Sequence, residues 1–260
     1  AMNTTANKKS KTDGLTQELS RLIGKENVLH ILEDRICYSY DGSKQKYLPD
    51  VVVRPQSTQH VSTILQFAHD HEIPAYPRGA GSGLTGGAVP LRGGIVLDFT
   101  QMNRIIEIIP EDLTATVEPG VVTQTLQSEV AKHKLFYPPD PASAPFSTIG
   151  GNVAECSGGI TGLKYGVTRD YILSLEVVLA DGSIIHTGRK TLKSVTGYDL
   201  TRLFVGSEGT LGVFTQITVK LLPLPEKIET LLVFFATPQD AVKSASQIIF
   251  NNLLPRALAF

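Results

Sequence analysis

The stretch Pro77-Arg78-Gly79-Ala80-Gly81-Ser82-Gly83-Leu84-Thr85-Gly86-Gly87 decides how the chain is read. Five glycines fall within nine residues, separated by small or hydroxylated side chains. Glycine adopts positive φ at little steric cost and lets another group come close to the main chain. Repeated turns of that kind aim consecutive N–H groups into one concavity, which suits a phosphate or pyrophosphate. A flexible glycine linker would lie between domains. Here the loop is held between two apolar runs, residues 73–76 and 94–99, that read as strands.

Residues 81–86 satisfy G-x-G-x-x-G literally, but that fingerprint needs a helix opening on its last glycine. Ala88-Val89-Pro90-Leu91-Arg92-Gly93-Gly94 follows instead, and Pro90 with two glycines forbids a helix of useful length. The pattern G-x-x-x-x-G-K-[ST] is absent. A helix dipole is therefore not the expected device at this loop. Main-chain N–H groups, with the Ser82 and Thr85 hydroxyls, are.

Working outward, the region from residue 48 alternates strand and helix. Val51-Val52-Val53 is a buried strand between prolines, and Ser57 or Thr58 caps a helix with Val61, Ile64, Leu65 and Ala68 on one face. The glycine loop follows the second strand of this β-α-β unit, not the first, unlike a dinucleotide-binding unit. Residues 105–109 and 114–117 read as a hairpin, 122–132 as a helix, and 172–180 with 183–186 as a hairpin turning at Asp181-Gly182. Residues 147–166 are rich in Gly, Ser, Thr and Asn; 198–204 make a helical turn or two, and 210–222 are strand-rich. Before residue 48, residues 3–13 are expected to be disordered. Leu15, Leu19, Leu22 and Ile23 then share a helical face, and 35–40 form an irregular edge. After Pro225, residues 231–235 are strand-like and 238–250 helical. The apolar ending 257–260 looks like the start of a strand, so the sequence is expected to stop inside a second domain.

Three later motifs stand in order behind the glycine loop: Pro138-Pro139-Asp140-Pro141, Thr148-Ile149-Gly150-Gly151-Asn152-Val153-Ala154, and Gly206-Ser207-Glu208-Gly209-Thr210-Leu211-Gly212-Val213. Together with residues 77–83 they resemble FAD-binding domains of the vanillyl-alcohol oxidase and p-cresol methylhydroxylase (PCMH) type. The resemblance is strongest to the flavin subunit of glycolate oxidase and to D-lactate and D-2-hydroxyglutarate dehydrogenases, and it covers roughly residues 48–225. It implies an α+β fold of two α/β subdomains with FAD between them, followed by the start of a truncated cap domain. The corresponding division is 1–47 as a disordered tail and N-terminal helical segment, 48–227 as the PCMH-type FAD-binding domain, and 228–260 as the beginning of the substrate domain.

Each motif carries a role under that resemblance. Pro77, Arg78, Gly79, Ala80, Gly81, Ser82, Gly83, Leu84 and Gly87 would cradle the pyrophosphate. Arg78 either offsets phosphate charge or meets an internal carboxylate. Relatives with covalent flavin carry a histidine where Ser82 stands, so non-covalent FAD is implied. Pro119 and Gly120 form a turn beside the cofactor. Pro139 fixes the backbone at Asp140, which either accepts from the flavin or is a solvated turn residue. Ser147, Thr148, Gly150, Gly151, Asn152, Ala154, Gly158, Gly159, Tyr165 and Gly166 would line the flavin or ribityl chain. Gly212 and Val213 would meet the adenine or ribityl portion, with Glu208 bracing its loop. Cys156 reads as packing.

The implied activity is oxidation of a small 2-hydroxy acid, with hydride passing to flavin N5 while a base removes the hydroxyl proton. No catalytic base is assigned, because the family places base, carboxylate-binding arginine and metal ligands beyond this sequence. Alternatives are an electron-transfer subunit active only with partner chains, such as an iron–sulfur or second flavin subunit, and a sugar or lactone oxidase on the same scaffold. Composition excludes other classes. The formal net charge of 24 − 25 = −1, without charge runs, argues against nucleic acid, and the absence of Trp removes a stacking platform. No apolar run approaches a membrane span and residues 1–14 do not read as a secretory signal. The two cysteines, Cys37 and Cys156, far apart and not in a metal-like pair, point to a reducing cytoplasm, with any membrane association through partner subunits. His69 and His71 are two apart on a helix and do not share a face, so no metal site is expected. Neither G-x-S-x-G nor H-E-x-x-H occurs.

Overall fold

The computed structural model describes residues 2–191 and 195–259. The chain opens with helix α1 (Met2–Ile23). The disorder expected for residues 3–13 is replaced by helix. Leu19 and Ile23 are buried in the core, and once that end is anchored each further residue adds a hydrogen bond to an existing nucleus. Strand β1 (Val28–Leu29) follows, then α2 (Leu32–Cys37), a short helix where an irregular edge was expected. Next come β2 (Val51–Val53), α3 (Thr58–Asp70), β3 (Ala75–Arg78) and β4 (Ile95–Asp98). The sheet order is β1-β2-β4-β3, with β2 and β3 both parallel to β4. Ser57 caps α3 by accepting the His60 N–H at 3.2 Å. The α3 stripe Val61, Ile64, Leu65 and Ala68 packs with Val51, Val53, Ile95 and Leu97.

The second unit is antiparallel. Strands β5 (Ile105–Ile109) and β6 (Thr114–Val117) form the expected hairpin. Helix α4 (Thr123–Ala131) and strand β7 (Leu135–Phe136) lead to α5 (Ile149–Glu155) and α6 (Gly162–Tyr165). Strands β8 (Ile172–Val178) and β9 (Ile184–Gly188) pair around a turn in which Gly182 has φ 83°. Helix α7 (Leu200–Phe204), strand β10 (Val213–Lys220) and strand β11 (Leu222–Pro223) complete it. The sheet runs β5-β6-β10-β8-β9, and β11 pairs with β7. Helix α5 lies within the run 147–166, whose Gly, Ser, Thr and Asn content assigned it no element.

Helix α3 joins the two units. Glu176 on β8 accepts from the Thr58 hydroxyl of α3 at 2.6 Å and from Thr215 of β10 at 2.7 Å. Ser62 donates to the Gly182 carbonyl at 2.6 Å. Val178 and Val213 of the second sheet are buried in the first unit's core. Two α/β layers thus face one another with the glycine loop at their seam.

After β11 the chain carries α8 (Pro238–Phe250), capped by Thr237. Residues 231–235 form no strand, although their apolar character suggested one. A strand needs a hydrogen-bonding neighbour, and the described residues supply none. Leu231 and Phe234 are accordingly 90% and 85% exposed. Phe260 of the expected terminal strand lies outside the described residues. Among the described residues no helix is long and apolar enough to cross a membrane.

Candidate cofactor site

Strand β3 is an edge strand running parallel to β4, and it delivers the chain directly into the glycine loop at its C-terminal end. Gly81 has φ 66° and Gly86 has φ 85°, so the loop uses the left-handed region that glycine tolerates. Its back is closed by an earlier segment. The Gly42 N–H donates to the Gly83 carbonyl at 2.9 Å, and a side chain on Gly42 would meet that same oxygen at 2.8 Å.

The front of the loop faces α5. Thr148 caps that helix, its hydroxyl accepting from the Gly151 N–H at 3.3 Å. A Cβ on Gly79 would collide with the Thr148 hydroxyl, and one on Gly150 would lie 2.6 Å from Pro119 Cβ and 2.9 Å from its carbonyl oxygen. The glycines of both segments therefore let the two backbones approach. They leave a cleft of about 260 Å³ lined by Pro77, Gly79, Ala80, Gly81, Ser82, Gly83, Leu84, Gly87, Ser147, Thr148, Gly151, Asn152 and Glu208. A narrower hollow shares Pro77, Gly79, Thr148 and Gly151 with it and continues past Arg78, Pro119, Gly150, Gly212 and Val213. Four segments far apart in sequence thus meet at one continuous concavity.

Other expected positions stand elsewhere. Gly120 is buried; its N–H donates to the Met102 carbonyl at 2.7 Å, and a Cβ there would strike the Phe99 carbonyl. Ala154 packs against the second core, and its carbonyl accepts the Glu208 N–H at 2.9 Å. The Pro139–Asp140 turn is fastened from two sides. Gln127 donates to the Pro139 carbonyl at 3.0 Å, and Gly159 lies against the Asp140 carbonyl with no space for a side chain. Gly158 faces Val167, Gly166 has φ 80° with the Asp170 carboxylate over it, and the Tyr165 ring packs edge-on to Phe136 at 5.2 Å. None of these lines either hollow.

Side chains within the cleft are committed in ways the sequence did not disclose. The buried Asn152 amide donates to Thr123 Oγ1 at 2.6 Å, and Thr123 in turn meets Ser147, so this triad braces α5. The Thr85 hydroxyl reaches both Glu155 oxygens at 3.1 Å. Glu208 has φ 52°, an uncommon conformation for a non-glycine residue, and its main chain holds the loop to Ala154 while its carboxylate approaches Gly87.

Arg78 settles toward the interior. It is buried, its guanidinium lies 5.7 Å above the Tyr38 ring, and it donates to the Ala88 carbonyl at 3.4 Å. Burial weakens its hold on its proton, and the negative charges of Asp41 and Asp98 oppose that. Tyr38 donates to Asp98 at 2.8 Å, while one buried oxygen of Asp41 has no hydrogen-bond partner. Arg78 thus combines a main-chain acceptor and an aromatic face with a place on the wall of the narrower hollow. Tyr38, Asp41 and Asp98 carry no motif, so only the fold reveals them. Glu155, in contrast, directly follows the Thr148–Ala154 motif. Among the described residues no group of three His, Cys, Asp or Glu is placed to hold a metal ion.

The arrangement offers glycine-lined backbone and two hydroxyl-bearing segments without bulk, which fits an extended cofactor carrying a diphosphate. Residues 49–188 match a family model described as FAD binding domain. Over 250 residues the chain is 50% identical to glycolate oxidase subunit GlcD of Bacillus subtilis (strain 168), covering 96% of this chain and 53% of that protein. It is 43% identical over 210 residues to a D-lactate dehydrogenase of Archaeoglobus fulgidus, covering 81% and 47% respectively. The crystal structure of p-cresol methylhydroxylase with substrate bound superposes with a TM-score of 0.78 at 24% identity, over 93% of this chain and 48% of that one, a likeness of fold. The chain spans about half the length of the curated relatives it matches.

Proposed function

This chain belongs to the FAD binding domain family, and from that premise we propose that it is the cofactor-binding part of an FAD-dependent oxidoreductase acting on a small 2-hydroxy acid of the glycolate or D-lactate type. FAD is its cofactor. The observation that carries the reading is the meeting of the glycine loop, the Thr148 cap, Pro119 and the Gly212–Val213 backbone at one concavity. Relatives named for glycolate and D-lactate support the substrate class.

Gly79, Gly81 and Gly83 would present main-chain N–H groups to the diphosphate, with Ser82 leaving the flavin non-covalently held. Thr148, Gly150 and Gly151 would line the next portion, and Gly212 and Val213 the far end. Bound FAD supplies the two-electron acceptor. The protein's own share is to orient that group and keep water from it. Residues 48–227 form the cofactor domain in this reading, and 228–260 begin a substrate domain that brings the base for the hydroxyl proton. A cytoplasmic location follows from the same reading, with any membrane association supplied by partner subunits. Dependence on partners is favoured by one specific observation: the relative at 50% identity is named as a subunit.

Two measurements test this. Protein stripped of flavin and incubated with FAD should regain a flavin absorption band after gel filtration; no band would overturn the cofactor site. A chain of the relatives' full length should reduce an artificial dye with glycolate or D-lactate. Reduction that appears only with added subunits would favour the partner-dependent reading, and no reduction in either case would overturn the substrate class.

A further inference from the structure

The proposed diphosphate cleft has an acidic wall. Glu155, the last residue of α5, faces the glycine loop, and a Cβ on Gly83 or Gly87 would lie 3.3 and 3.4 Å from its Oε1. Glu208, arriving from the loop after α7, stands across the same loop, with Oε2 3.5 Å from that position on Gly87. Both carboxyls line the cleft beside Gly79, Gly81 and Ser82. Asp41, from the segment behind the loop, is 94% buried by its 6% exposure and keeps one oxygen without a partner. A dianionic group entering this cleft meets carboxylates where complementarity calls for cations. Arg78, the cation next to the loop in sequence, lies against Gly81 and stacks on Tyr38; it lines the adjoining hollow and not this cleft.

The conflict is resolved if one carboxyl gives up its charge. Resting on the reading of this cleft as the FAD site, we infer that Glu155 takes up a proton when FAD binds, and that the cleft therefore binds FAD more tightly as pH falls. The proton comes from solvent and converts the carboxylate to a neutral acid, with no other bond changed. Glu155 is the suited member of the pair. It is half-buried, and the Thr85 hydroxyl, 3.1 Å from both of its oxygens, can donate to the carboxylate or accept from the acid. Before any ligand enters, burial already pushes Glu155 above the usual carboxylate range. The Thr85 hydrogen bond opposes that, and the negative charges of Glu208 and Asp41 add to it. The charged groups bearing on it are thus both acidic. A phosphate dianion nearby acts in the same direction, so the bound state holds the proton more tightly than the free state. By linkage, affinity then falls as pH rises through the interval between the two values.

Glu155→Gln mimics the protonated form. FAD affinity should be measured by flavin fluorescence quenching from about pH 5 to about pH 8, with calorimetry in two buffers of different ionisation enthalpy. The unmodified protein should lose roughly tenfold in affinity per pH unit at most within the linked interval. It should take up a fraction of a proton on binding. Glu155→Gln should bind FAD at least severalfold more tightly at the alkaline end, with a flattened pH dependence and no proton uptake. A gain in affinity cannot come from misfolding, and a matched melting temperature checks the fold directly. Equal pH slopes and equal proton uptake in a folded Glu155→Gln would overturn this inference alone. Failure of the unmodified protein to bind FAD at any pH would overturn the cofactor reading along with it.

Discussion

Gly81→Ala adds a single methyl group at the tightest point of the loop. Gly81 has φ 66°, and placing an L-residue there costs about 1–2 kcal/mol. The added Cβ also lands on the Arg78 guanidinium, with Arg78 Nε at 3.0 Å and its terminal atoms closer. Arg78 is only 7% exposed, so to move aside its guanidinium must leave the Tyr38 ring and the Ala88 carbonyl. Backbone strain and displacement together should cost about 2–4 kcal/mol. For a chain of this size that is a drop of roughly 5–15 °C in melting temperature, followed by circular dichroism. Flavin retained per chain after gel filtration should fall with it. Repeating the substitution in an Arg78→Met background isolates the collision. The penalty of Gly81→Ala should shrink there by about 0.5–3 kcal/mol, the coupling expected of touching groups. An unchanged penalty would mean that the guanidinium is not what the methyl group meets. A Gly81→Ala protein with normal melting and normal flavin content would refute the loop's geometry altogether.

Thr148→Ala removes the α5 cap and a cleft hydroxyl together, so about 1 kcal/mol of stability and part of the FAD affinity should be lost in thermal melts and titration. Gly150→Ala forces a methyl group onto Pro119 and should destabilise by about 1–3 kcal/mol, measured by denaturant unfolding. Glu176→Gln probes acid stability. Burial alone would raise the Glu176 carboxyl, but the Thr58 and Thr215 hydroxyls and His186 outweigh it and hold it below the ordinary carboxylate range. A depressed folded-state value means the contribution is present above the unfolded value and lost as pH falls through the folded one. The variant should therefore lose less stability on acidification than the parent; parallel acid melting curves would count against this.

The parts of the fold written in local chemistry were legible. The Ser57 cap, the α3 stripe and the Asp181-Gly182 turn each follow from residues within a few positions of one another. The glycine loop was legible for the same reason. Helix α5 was not, because Gly150 and Gly151 look like helix breakers. Their small size answers Pro119 and the Thr148 cap, contacts that sequence order does not reveal. Arg78 is a similar case. Its neighbours Tyr38, Asp41 and Asp98 are scattered over 60 positions, and no spacing rule joins them. Asn152 looked like a donor aimed at a ligand, and its amide also donates to Thr123, a partner that no sequence spacing reveals. Leu231–Phe235 had strand composition without a neighbour to pair with, and pairing is not a property of the segment itself.

The contact between Gly42 and Gly83 bears on where this protein can be divided. The family match starts at residue 49, which invites cutting a minimal fragment there. Such a cut would sever the backing of the glycine loop, the ring beneath Arg78, and the Leu19 and Ile23 side chains of the first core. A guanidinium would be left over an open hole. What the family match leaves outside its bounds is the rear wall of the loop, and a shortened fragment inherits the recognisable glycines without the surface that gives them shape.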